Sequence, residues 1–144
     1  MSENMMTYNP SMVKVALGTH AMTGYAEDTF IVIDQLDSGI TSKAGCDGEI
    51  VRSVDPNNRY TIKFTLLPNS PTNNFLLNRY KQDKKDGTGY FPVLINDITG
   101  AEKFSSATAW VAKTPSSTKG KEASNKEWTL ETGQTEYDYI GGKA

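Results

Sequence analysis

The residues of this chain that are able to do chemistry are few, and they do not gather. The sole histidine, His20, would have to carry any Ser–His–acid arrangement, and no nucleophile elbow or other local signature accompanies it. A histidine in a polar connection, without partners, reads as surface. The sole cysteine, Cys46, lies in AGCDGE; it can form neither an internal disulfide nor a cysteine-rich zinc site, and it reads as a small packing residue rather than a nucleophile. The run DKKDGTG, from Asp83 to Gly89, begins like a calcium loop but lacks the alternating acids and the later glutamate, so a solvated helix end is the better reading. The carboxylates Glu27–Asp28 and Glu136–Asp138 are near neighbours in sequence and would need others brought to them by the fold before they held a metal or moved a proton. No glycine-rich stretch matches a P-loop or dinucleotide fingerprint. Trp110 and Trp128 are the candidates for a sugar- or base-stacking platform, although tryptophans on strands more often serve a core or an interface. Catalysis has no foothold here, and neither a cofactor nor a metal is expected.

The elements that would position these residues are mostly strands. MVKVALG, TFIVIDQL, EIVRSVD, RYTIKFTLL, GYFPVLIND, KFSSATAWVAK and SNKEWTLET each read as extended, separated by turn-forming residues. RYTIKFTLL alternates strictly: Tyr60, Ile62, Phe64 and Leu66 point one way, Arg59, Thr61, Lys63 and Thr65 the other. One helix interrupts the series, over about Ser70–Lys85. Ser70 suits the N-cap, Pro71 the first helical position, Lys84 and Lys85 the negative end of the dipole, and Gly87 the left-handed stop. Leu76, Leu77 and Tyr80 make an apolar stripe that would lie over a sheet as a lid.

A length of 144 residues fits a single domain with a core of its own, spanning 1–144. Within it, residues 1–11 read as an N-terminal arm, 37–48 as an extended Gly/Ser/Thr/Asp-rich loop, and 134–144 as a C-terminal tail. The formal charge of −2 argues against a protein that grips nucleic acid through a basic surface. MSENMMTYNPS has no basic start followed by an apolar core, and runs such as FIVI and VLI are too short to cross a bilayer. No secretory leader and no membrane anchor are therefore expected, and a single cysteine suits a reducing cytoplasm.

The order of motifs adds a further reading. YTIKFTLLPNSPTNNFLL, YFPVLINDITG, FSSATAWVAKTP, GKEASNKEWTLE and YDYIGG, in that order, resemble the tail tube protein family of contractile-tailed bacteriophages. Each motif alone is weak; five in order at sensible spacing make the signal. The resemblance runs from about Met12 to Gly142. It implies a mainly β, sandwich- or barrel-like tail tube fold with one flanking helix, in a structural virion protein without an active site. It further implies hexameric rings stacked into the inner tube of a contractile tail, made in the host cytoplasm and carried in the virion. The implied partners are further copies of the chain, the tail sheath protein, the tape measure protein inside the tube, and baseplate and tail terminator proteins. Genome DNA would pass through the lumen without specific binding.

On that reading, the contact between stacked rings falls to the glycine-containing loop, at Asp37, Ser38, Gly39, Ile40, Thr41, Ser42 and Lys43. Subunit contacts fall to the tail, at Tyr137, Tyr139 and Ile140, because tyrosine packs its ring while its hydroxyl stays bonded. The tube of a phage-derived contractile injection particle shares the same expectations. A β-sandwich carbohydrate-binding module built on Trp110 and Trp128 is the reading from another class.

Overall fold

A computed structural model describes residues 10, 13–26, 30–97 and 102–138. Among the described residues, ten strands and one helix follow one another: β1 Val13–Leu17, β2 His20–Ala21, β3 Ile31–Gln35, β4 Ile40–Ala44, β5 Ile50–Val54, β6 Tyr60–Leu66, α1 Pro71–Asp86, β7 Phe91–Asp97, β8 Glu102–Lys113, β9 Lys126–Thr132 and β10 Thr135–Asp138. The expected mainly β fold with a single helix is what the structure has.

All pairings are antiparallel, and the main sheet runs β2-β1-β7-β8-β9-β6-β3 with β10 beside β8. The connection after β2 joins the two ends of this order. The Met22 amide donates to the Val15 carbonyl on β1, whereas the Ala26 amide donates to Thr65 and the Leu67 amide to Gly24, along β6. That bridge gives the sheet its barrel-like closure, which removes edges that would otherwise stay unpaired.

Strands β9 and β10 together act as one long partner of β8. Thr132 sits opposite Ala109 and Thr135 opposite Ser106, so the register continues through the break at Gly133 and Gln134. The Ser106 hydroxyl, itself buried, sits at this break against the carbonyls of Thr108 and Gln134. The segment expected as the tail from 134 therefore starts as a strand. Residues 139–144, with Tyr139 and Ile140, and residues 1–9 and 11 of the arm lie outside the described residues.

Alternation decides what is inside. Ile62, Phe64 and Leu66 of β6 meet Trp128 and Leu130 of β9, Phe104 and Val111 of β8, Phe91, Val93 and Ile95 of β7, and Val15 and Leu17 of β1 in one core. The helix covers the remaining opening. Its Leu76 is fully buried, with Phe75, Leu77 and Tyr80 packed around it. Ser70 caps it by accepting from the Thr72 amide at 3.2 Å, and Gly87 ends it at φ 76°. The return from the helix is tight: a Cβ on Gly89 would lie 2.1 Å from the Arg79 carbonyl oxygen, so only glycine lets β7 start there.

Candidate functional site

The residues that offered chemistry are scattered, and several of them are engaged within the chain. His20 stacks on Phe75, ring centroids 4.7 Å apart, and its Nε2 lies 2.9 Å from the Thr72 hydroxyl. It braces the first turn of the helix. Asp86 accepts from the Thr88 hydroxyl and amide and from Gln82, and these bonds hold its carboxyl below the usual range, with the Thr88 hydroxyl as the largest cause. Its neighbour Asp83 accepts from the Gly89 amide, so DKKDGTG is a helix end that caps its own turn. Glu27 and Asp28 lie outside the described residues. Among the described residues no three His, Cys, Asp or Glu side chains come together as a metal would need.

The tryptophans separate. Trp128 is 3% exposed, and its indole N–H donates to Asn73 Oδ1 at 2.8 Å, tying β9 to the helix. Trp110 sits opposite Glu131 while Leu130 and Trp128 share the inner face, so the two indoles are on opposite sides of the sheet. They cannot form one stacking platform.

What the fold leaves outside is a ribbon. Among the described residues, strands β4 and β5 pair only with each other, and every residue of both is exposed. The stretch 37–48, expected as a loop, is therefore the root, first strand and turn of a β-hairpin. Ile40 stands opposite Val54, Ser42 opposite Arg52 and Ala44 opposite Ile50, and these six share one face. Ile40, Ile50 and Val54 are 57%, 68% and 71% exposed. The other face carries Thr41, Lys43, Val51 and Ser53. Cys46 is exposed in the turn at the tip.

The root is fixed, although the ribbon is not covered. Asp37 and Arg59 form a two-pronged ion pair, Nε to Oδ2 at 2.8 Å and Nη2 to Oδ1 at 3.0 Å. The guanidinium holds the Asp37 carboxyl below its ordinary value, chiefly through these hydrogen bonds, and the carboxylate in turn raises the Arg59 pKa through the same bonds. The Asp55 amide donates to the Gly39 carbonyl, and the Leu36 amide to the Arg59 carbonyl, closing the ladder at the point where the two strands leave the body. Of the seven residues expected to make contacts from this stretch, Asp37 is engaged within the chain; Ile40 to Lys43 lie along β4; Ser38 and Gly39 join them.

A second surface complements the first. Ala16 on β1 stands opposite Leu94 on β7, Leu94 opposite Ser105 on β8, and Ser105 opposite Glu136 on β10. These four form a row straight across the outer face, flanked by Pro92, Ala107 and Gln134 along a shallow groove of about 810 Å³. Small side chains keep it open. On the far side of the outer face the chemistry differs: Asp34, Thr61, Lys63, Glu127 and Glu131 make the wall of β3, β6 and β9 charged and polar.

Tyr137 is not on either surface. Its ring packs edge-on against Tyr60 and Phe104, at 5.2 Å from each, and its hydroxyl donates to Glu102. It is half-buried, and these ring contacts lie within the subunit. Sequence reasoning took the aromatic types of the tail but had no means of seeing that β10 turns one of them inward.

Comparison with known proteins gives these surfaces a context. No family model matches the chain. Structural protein ORF10 of Pseudomonas phage KPP10 is 23% identical over 145 aligned residues, covering 95% of this chain and 84% of that protein. Among solved structures, the tube-terminating cap of the anti-feeding prophage has TM-score 0.60 at 12% identity, covering 97% of this chain and 96% of its own. A chain of the sheath–tube complex of the PVC extracellular contractile injection system has TM-score 0.56 at 12% identity, covering 93% of both chains. A chain of that system's sheath/tube terminator has TM-score 0.55, again at 12% identity, covering 92% of this chain and 96% of its own. The chain thus resembles tail tube proteins both in the order of its motifs and in its fold, and it is related to a structural protein of a phage.

Proposed function

We propose that this chain is a structural subunit of a contractile phage tail, forming hexameric rings that stack into the inner tube. The tube encloses the tape measure protein, meets the sheath along its outside and terminator and baseplate proteins at its ends, and conducts the genome during ejection. The observation that carries this reading is the ribbon. A two-stranded hairpin is marginal in water on its own, yet this one is anchored at its root and holds Ile40, Ile50 and Val54 in solvent. Covering each of them stabilises by roughly 1 kcal/mol, so the ribbon gains most from a partner that covers all three.

Three further features support it. The barrel-like body is similar in fold to a chain of a tube-terminating cap and to one of a sheath–tube complex. The charged wall of β3, β6 and β9 suits a water-filled lumen, and its carboxylates disfavour retention of a phosphate backbone. The sequence relative is a phage protein, which favours a genome-carrying tail over an injection particle without one.

A second reading, a subunit of the ring that terminates the tube, is favoured by the likeness to the prophage cap, at TM-score 0.60. It shares the ring and one stacking face and differs in lacking growth from the other. Multi-angle light scattering across a concentration series tests ring formation. The expected mass is six times that of the 15.8 kDa subunit, or an open-ended rise from stacking. A mass fixed at six would favour the terminator, and a monomer throughout would count against both.

A further inference from the structure

We propose that the ribbon of one copy seats on the small-residue row of a second copy, apolar face down, with Arg52 of the ribbon against Glu136 of the groove. This rests on the tube-subunit reading and names the seat that such stacking would use.

The two surfaces fit each other in chemistry. The ribbon offers Ile40, Val54, Ala44 and Ile50 with a single charge, Arg52, among them. The groove offers Ala16, Leu94 and Ser105 with a single charge, Glu136, at the end of that row. Neither Arg52 nor Glu136 takes part in the Asp37–Arg59 ion pair. Leu94 is 41% exposed at the centre of the row. The ribbon face and the groove row each carry one charge, of opposite sign, although Lys14, Lys103 and Asp138 stand in the next row of the same outer face. The Arg52–Glu136 pair sets register because a displaced ribbon would bury Arg52 against Leu94 or Ala16.

The geometry of the fold makes the second copy the natural occupant. The ribbon and the groove are different surfaces, so a contact between them is head-to-tail and each copy remains free to give one and receive one. Such a contact repeats, closing a ring or extending a stack, whereas a self-complementary patch would stop at a pair. Asn58, which lines the groove, lies just beyond the ribbon's last strand and beside its anchor Arg59. Each subunit therefore receives a neighbour next to the point from which its own ribbon departs.

Paired charge reversal tests the seat. Arg52→Glu and Glu136→Arg, each alone, should raise the concentration needed for sedimentable assembly about five- to tenfold, and the double variant should return it to near the wild-type value. A double variant as poor as the worse single one overturns the seat. A mixing experiment gives an answer even without large assemblies. Cys46→Ser/Arg52→Cys and Cys46→Ser/Glu136→Cys, combined under mild oxidation, should form a disulfide-linked pair. The control, in which Lys84→Cys on the helix replaces the groove cysteine, should not. Equal cross-linking to the helix, or none to the groove, overturns the proposal. Ordered rings or tubes with no groove cross-link would discard the seat and keep the tube reading; groove cross-links without rings would do the reverse.

Discussion

Asp37 and Arg59 hold each other at the two points where the β4–β5 ribbon leaves the body of the protein, through hydrogen bonds of 2.8 and 3.0 Å. The pair makes the ribbon a projecting arm with a set direction, in place of the flexible connection that its glycines and serines suggest. Guanidinium and carboxylate are matched for two parallel bonds, which fixes an angle as well as a distance.

The pair has a pH dependence with a definite sign. The Asp37 carboxyl is held below its ordinary value, so its contribution is present above that value and is lost as pH falls through the lowered one. The ribbon root should stay fixed at neutral pH and loosen only below about pH 4. Amide exchange of Gly39 to Val54 should rise in that window while β6 to β9 stay protected. Arg59→Gln should bring the same loosening to pH 7. Unchanged ribbon exchange in that variant would show that the ladder alone holds the root.

Cys46 reports on the tip. It is exposed in the isolated subunit, so a thiol reagent should label it at a rate close to that of a free cysteine. Assembly that seats the ribbon should slow labelling at least tenfold. Equal rates in assembled and dispersed protein would place the tip in solvent in both.

Gly89 is a test of the body. Gly89→Ala puts a methyl within 2.1 Å of the Arg79 carbonyl oxygen and 2.6 Å of the Asp83 nitrogen, both backbone atoms that cannot swing away. Overpacking of this kind costs about 1–3 kcal/mol, which thermal unfolding should show as a drop of several degrees. Gly48→Ala, in the ribbon turn at φ 88°, should leave the melting of the core almost unaltered.

Trp128 and Trp110 should differ. Trp128→Phe removes the indole N–H and leaves Asn73 Oδ1 without its 2.8 Å donor, for a loss of about 1–3 kcal/mol. Trp110→Ala acts on the outer face, beside Glu131, and should affect assembly more than melting. Loss of glycan binding from a well-folded Trp110 variant would instead revive the sugar-binding reading.

Much of this fold is legible in the chain itself because its rules are local. Ser70, Pro71 and Gly87 punctuate the helix with groups that act within one turn, and the observed span, Pro71–Asp86, agrees with them. Tyr60 to Leu66 alternate because one side meets a core supplied by the same subunit. β4 was hidden for the converse reason: ITSKA has no side buried by this chain, so its pattern carries no core signature. The row Ala16–Leu94–Ser105–Glu136 was equally hidden, since it joins four strands distant in sequence by register alone. The pairing of Trp128 with Asn73 and the inward turn of Tyr137 depend on which strands become neighbours, and composition is silent on that.

Negative-stain electron microscopy of the purified chain, beside a variant in which Ile40–Val54 is replaced by a short turn joining Gly39 to Asp55, tests the central claim most directly. The intact chain should form rings or hollow tubes of uniform width. The variant should give folded, unstacked particles that melt at the wild-type temperature. Tubes formed equally well without the ribbon would contradict its role in stacking.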